Sequence, residues 1–223
     1  MPRMPMIWQR VSNIPRRNVQ RRGRQVSPQI LTFTPPPSMP NSGRRGNWLA
    51  GTNVMFVMIS GCSGGGKSAL LSELERRGHA IVAEPALRVV ADERQRDGRA
   101  LPWIDAVAFG QRVLAMSIAD HETAQELTFF DRGIVDAGVV ITARGGELPA
   151  DAVAQYRYDR LFLAPPWPEI YEINDDRRHS LDKALRDYER VRMAYLHAGY
   201  DPIPLPRDTV AARADFVLTN LRR

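Results

Sequence analysis

Residues Gly61, Cys62, Ser63, Gly64, Gly65, Gly66, Lys67 and Ser68 match the pattern G-x-x-x-x-G-K-[ST]. They also fit the narrower G-x-x-G-x-G-K-S spacing common in small-molecule kinases. Each residue type has a task in holding phosphate. The glycines let the backbone curl so that successive N–H groups meet phosphate oxygens with no Cβ in the way. Lys67 can reach the β and γ phosphates, and Ser68 can place its hydroxyl on Mg²⁺. A helix starting at this point adds the positive end of its dipole. Cys62 reads as a small loop residue rather than a nucleophile, because no His motif stands nearby and the four histidines lack metal-ligand spacing. No N-K-x-D guanine signature occurs, so the expected nucleotide is ATP, with Mg²⁺.

Three further groups of residues suit phosphoryl transfer. "LTFFD" is an apolar run ending in an acid, the layout of a Walker B strand, which puts Asp131 in position to hold Mg²⁺ through water. Arg132 follows directly and can contact a substrate or a transferred phosphate. In "AEPALR", Glu84 ends a short strand at the edge where open α/β sheets bind ligands, and it can accept a proton from a substrate hydroxyl. Arg88, one turn further on, can bind an anionic substrate group. In "NDDRRHS", Arg177 and Arg178 precede a helix and are expected to act as a closing lid that stabilises charge on the transferring group. For each of these residues an ordinary role also fits: a helix cap for Asp131 and Glu84, a solvated face or surface ion pair for the arginines.

The elements that must position these groups alternate between strand and helix from Asn53 onward. Continuous apolar strands are expected at "NVMFVMIS" (53–60), "LTFFD" (127–131) and "YDRLFLA" (158–164), with a shorter strand at "HAIVAE" (79–84). "YDPIPLP" (200–206) is expected at a sheet edge, since its prolines exclude a central place. Helices are expected at "KSALLSELERRG" (67–78), "PALRVVADERQRDG" (85–98), "WIDAVAFGQRVLAMSIADHETAQ" (103–125) and "IVDAGVVITARGG" (134–146). Two more are expected at "LDKALRDYERVRMAYLHAG" (181–199) and "TVAARADFVLTNL" (209–221). The segment between residues 165 and 180 reads as an irregular polar excursion. This alternation predicts an α/β fold with three layers around a parallel sheet, the P-loop NTPase type.

The net charge of +6 belongs to one end of the 223-residue chain. Residues 1–50 hold nine arginines and no Asp, Glu or Lys. Removing those nine from the 31 basic residues leaves 22 against 25 acids, so the remainder is near −3. Residues 1–52, with "PPP" at 35–37 and "RRNVQRRGR", are expected to be a disordered extension, and residues 53–223 the P-loop domain. Three readings fit the extension: binding to RNA or an anionic surface, an Arg-rich targeting peptide, or a stretch without a role translated from an upstream start. Nucleic acid binding is not expected of the mildly acidic core. No apolar run nears the length of a membrane span, and a single cysteine rules out an internal disulfide and fits a reducing, cytoplasmic setting.

From about Met55 to Leu221 the chain resembles the NadR-like AAA domain family of P-loop proteins. The resemblance rests on "GCSGGGKSALLSELERRG", "VAEPALRVV", "FFDRGIVDAG", "YDRLFLAPPWPEIYEINDDRRHS" and "GYDPIPLP", in that order. The family includes the nicotinamide riboside kinase domain of NadR and is related to nucleoside kinases. It implies a nucleoside-kinase-like P-loop fold that uses ATP. The "EP" pair is similar to that of deoxynucleoside kinases, where the Glu serves as base, which implies the same task for Glu84. The expected activity is Mg²⁺-dependent phosphoryl transfer from ATP to a small hydroxyl-bearing molecule such as a nucleoside. A nucleotide-dependent switch or slow ATPase is the alternative.

Overall fold

A computed structural model describes residues 54–170 and 180–221. The expected tail, residues 1–52, and both expected lid arginines, Arg177 and Arg178, lie outside the described residues. Five parallel strands form one sheet in the order β2-β3-β1-β4-β5. They are β1 (Met55–Gly61), β2 (Ala80–Val82), β3 (Leu127–Asp131), β4 (Arg160–Ala164) and β5 (Ile203–Pro204). The most apolar strand, β1, lies at the centre, and the proline-bearing β5 lies at the edge, where a missing N–H costs no ladder bond.

Seven helices connect and cover the described strands: α1 (Lys67–Arg76), α2 (Pro85–Gln95), α3 (Ala106–Thr123), α4 (Ile134–Thr142), α5 (Ala150–Gln155), α6 (Leu181–His197) and α7 (Val210–Asn220). Strand side chains alternate between two cores, as a period of two requires. Phe56 and Met58 of β1 join Phe130, Leu161 and Leu163 under α3, α4 and α6. Val57 and Ile59 join Phe129, Phe162 and Ala164 under Leu70, Leu71 and Leu74 of α1 and Ala214 and Val217 of α7. The result is the expected three layers.

Local differences from the expected elements have local causes. Helix α3 starts at Ala106 rather than near residue 103, because the Asp105 carboxylate accepts a hydrogen bond from Ala108 N at 2.9 Å and caps it there. Helix α5, for which the sequence shows too short a period, lies beside α4 and buries Ala152. Strand β2 ends at Val82, so Glu84 is the N-cap residue of α2 and not the last residue of the strand. Among the described residues no helix is long and apolar enough to cross a membrane.

Candidate active site

The site forms at the carboxyl ends of β1, β3 and β4, and the sheet register sets it. Ile59 pairs with Asp131 and Gly61 with Ala164, so the loop leaving β1 starts beside the last residue of β3. Cys62 N donates to Ala164 O at 2.9 Å, which seats the start of the loop on β4. Gly61 lies at φ +114°, and a Cβ there would run into the backbone O and N of Ala164, so only glycine fits. Gly66, at φ +72°, turns the chain into α1.

Lys67 is buried and donates from Nζ to Cys62 O at 2.9 Å, which lays its ammonium across the inside of the loop. Burial, with Arg132 nearby, lowers its pKa to about 8, although Asp131, Glu84 and Asp136 pull the other way. Asp131 is also buried, and burial raises its pKa to about 6 against the attraction of Lys67. Its Oδ1 finds no hydrogen-bond partner among the described residues. An orphaned carboxylate oxygen beside a phosphate loop suits a hydrated divalent cation. Ser68, at the start of α1, is exposed and offers a hydroxyl. Ser68 and Asp131 thus offer oxygen donors of the kind that Mg²⁺ takes.

Arg132 has a left-handed backbone at φ +62°, a conformation that costs a bulky residue roughly 1–3 kcal/mol. Its N–H donates to Ile59 O at 3.1 Å, which fixes the turn against β1. That turn sends the guanidinium between two carboxylates: Nε stands 3.3 Å from Glu84 Oε1, and Nη1 donates to Asp136 Oδ1 at 3.3 Å. Burial opposes the charge, but Glu84, Asp136 and Asp131 together outweigh it and hold the guanidinium above its ordinary pKa. Glu84 stands at the N-cap position of α2 without making a side-chain cap bond; its carboxylate is turned to Arg132 instead.

The sequence reading missed Asp136. This buried carboxylate accepts from Ser60 Oγ at 2.6 Å, from Tyr195 Oη at 2.6 Å and from Gly133 N at 3.1 Å, as well as from Arg132. It ties β1, α4 and α6 together directly behind the arginine. The one signal in the sequence was the four-residue spacing from Arg132 to Asp136 in "DRGIVD".

The loop residues, Asp131, Arg132 and Glu84 thus come together at one edge of the sheet. Arg88 does not join them: it pairs with Asp120 of α3 at 2.7 Å, and that ion pair accounts for it. Cys62 is buried, and its thiol donates to Ser63 O at 3.2 Å and to Ala184 O of α6 at 3.6 Å.

Comparison with known proteins bears on the family and the fold. A family model described as an AAA domain matches residues 56–213. A search of curated proteins finds no match. Among solved structures, deoxyadenosine kinase from M. mycoides, with dCMP and dCDP bound, superposes with a TM-score of 0.50 at 13% identity, over 75% of this chain and 98% of that one. Shikimate kinase from Acinetobacter baumannii, in complex with shikimate, gives 0.49 at 15%, over 76% and 92%. Thymidylate kinase from Ehrlichia chaffeensis gives 0.49 at 14%, over 76% and 98%.

Proposed function

This chain belongs to the AAA domain family, and from its kinase-like P-loop fold we propose that it is an ATP-dependent phosphotransferase acting on a small hydroxyl-bearing molecule. One observation carries the reading. A carboxylate–guanidinium pair, Glu84 with Arg132, stands at the same sheet edge as Lys67 and Asp131, and the phosphate loop does not consume it. A carboxylate at the carboxyl edge of the sheet stands where an acceptor hydroxyl would be met.

In this reading the loop amides and Lys67 hold the phosphates of ATP. Ser68 and Asp131 hold Mg²⁺, which supplies charge neutralisation on the phosphate oxygens. Glu84 accepts the proton of the acceptor hydroxyl as that oxygen bonds to the γ phosphorus and the bridge to the β phosphate breaks. Arg132, fixed by Asp136, orients Glu84 and faces the transferring group. Arg177 and Arg178, outside the described residues, are the candidates that the sequence offers for the rest of the cation set. A nucleoside is the first acceptor class to test, given the NadR-like resemblance and the deoxyadenosine kinase neighbour. The single cysteine fits work in the cytoplasm.

The test incubates the protein with ATP labelled at the γ phosphate, Mg²⁺ and a panel of nucleosides, including nicotinamide riboside. Label in a nucleoside product is the expected result, and Glu84→Gln should lower that transfer by about 100-fold, the scale of general-base loss. Label found only in free phosphate would overturn the kinase reading and favour a nucleotide-hydrolysing switch.

A further inference from the structure

Arg213 is 2% exposed, an unusual degree of burial for an arginine, and it sits in the first turn of α7. A cation there opposes the helix dipole, and its Nε has no hydrogen-bond partner among the described residues. Both features are costly, so the compensating contacts are informative. Nη2 donates to Gly65 O at 2.9 Å and Nη1 to Gly66 O at 3.2 Å, bridging from the far end of the chain to the middle of the phosphate loop. The Trp167 ring lies over the guanidinium, with its centroid 5.7 Å from Cζ. A Cβ at Gly66 would come within 2.5 Å of Nη1, so the glycine also makes room for this arginine.

Peptide geometry gives these two bonds a consequence at the opposite side of the loop. The carbonyl of Gly65 and the N–H of Gly66 share one trans peptide plane and point in opposite directions, as do the carbonyl of Gly66 and the N–H of Lys67. Gly66 O also accepts from Leu70 N at 3.2 Å, so it points down α1 and the Lys67 N–H points out of the helix start. By holding both carbonyls, Arg213 turns both N–H groups away from itself. Its charge polarises the same two peptide units in the sense that strengthens those donors.

We propose that Arg213 is a positioning residue of the phosphate cradle, which aims and polarises the Gly66 and Lys67 amides without itself touching the nucleotide. This rests on the reading of Gly61–Ser68 as a phosphate cradle, but not on phosphoryl transfer. The role concerns the phosphates and not the base, so inorganic tripolyphosphate is the discriminating probe.

Calorimetric titration of the full chain with tripolyphosphate and with ATP, each with Mg²⁺, tests it. Arg213→Met, which fills the volume without donors, should weaken both ligands by the same factor of about tenfold or more, the scale of lost charge-assisted hydrogen bonds. Arg213→Lys, able to keep one carbonyl bond, should fall between Arg213→Met and the wild type. Melting curves of the same samples establish that each variant is folded at the titration temperature. A folded Arg213→Met with wild-type tripolyphosphate affinity overturns the proposal, since a purely structural role would lower the melting temperature alone. A loss confined to ATP also overturns it, by placing Arg213 at the base. If Arg213→Met does not fold, Arg213→Lys decides on the same criteria, with wild-type affinity for tripolyphosphate counting against. A wild-type chain that binds neither ligand sinks this proposal together with the cradle. One that binds ATP but phosphorylates no acceptor sinks only the kinase reading and leaves the predicted ratios standing.

Discussion

Gly61 and Tyr195 mark two ways in which single residues hold the site in shape. Gly61 has both a left-handed backbone and a neighbour, the Ala164 peptide, where a side chain would go. Gly61→Ala should therefore destabilise the fold by roughly 2–3 kcal/mol, since backbone atoms cannot move aside as a flexible side chain would. Urea unfolding measures that loss directly. Tyr195 acts from behind, through its 2.6 Å bond to Asp136. Tyr195→Phe keeps the buried ring but removes the bond, at about 1.5–3 kcal/mol for a hydrogen bond to a charged partner. Asp136 retains Ser60 and Gly133, so the variant should fold, but Arg132 loses a fixed backstop. The expected signature is a lower kcat with the KM for ATP little changed, read from steady-state kinetics of the transfer. Asp136 escaped the sequence reading for a plain reason. Its partners Ser60 and Tyr195 lie 76 and 59 residues away along the chain, and no local pattern brings such residues together.

Between elements, α1, which leaves the phosphate loop, contacts α7, the helix that carries Arg213. Arg77 reaches Asp215 at 2.5 Å and Ala211 O at 3.2 Å, while Glu73 receives hydrogen bonds from both Arg76 and Arg77. Those bonds, that from Arg76 first, lower the Glu73 pKa from 4.5 to about 2. A depressed carboxylate pKa stabilises the fold above about 4.5, and the contribution is lost as pH falls from 4.5 toward 2. Glu73→Gln lacks that contribution, so its urea midpoint should fall less steeply with acid than the wild type over the same window. The effect should be small, because the cluster is on the surface. The strands and long helices were legible because burial on both faces writes continuous apolar runs and one buried face writes a helical stripe. Helix α5, at six residues, is too short to write either. The start of α3 differs for a related reason: Trp103 and Ile104 fall in an apolar run, but both are only half buried, and the Asp105 cap sets the boundary.

At the scale of the whole molecule, charge is sharply divided along the chain. Residues 53–223 carry every acid in the chain, and the first fifty carry nine arginines. The charged groups of the described site, Lys67, Glu84, Asp131, Arg132 and Asp136, all come from residues after 53, so deleting residues 1–52 should leave the melting temperature and ATP affinity unchanged. Differential scanning calorimetry and nucleotide titration of the shortened chain check this, and a loss in either would assign the extension a part in the domain. The carboxyl-edge site was legible because a P-loop motif fixes where its strand ends, and the Walker B pattern fixes the neighbouring strand. Arg213 was not legible: it is one arginine in an ordinary amphipathic helix, and its partners are backbone carbonyls, which leave no mark in a sequence.

The order of the strands also governs when the site can exist during synthesis. Strand β1 emerges first, yet its two sheet neighbours are β3 and β4, so it must wait for Leu127–Asp131 and Arg160–Ala164 before either of its edges is paired. The loop that follows β1 stays without its seat until Ala164 has left the ribosome, and without Arg213 until α7 follows. Long-range closure of this kind slows folding and leaves an apolar strand unprotected meanwhile. A nascent chain halted before residue 213 should therefore hold phosphate poorly, which ties nucleotide binding to the arrival of α7.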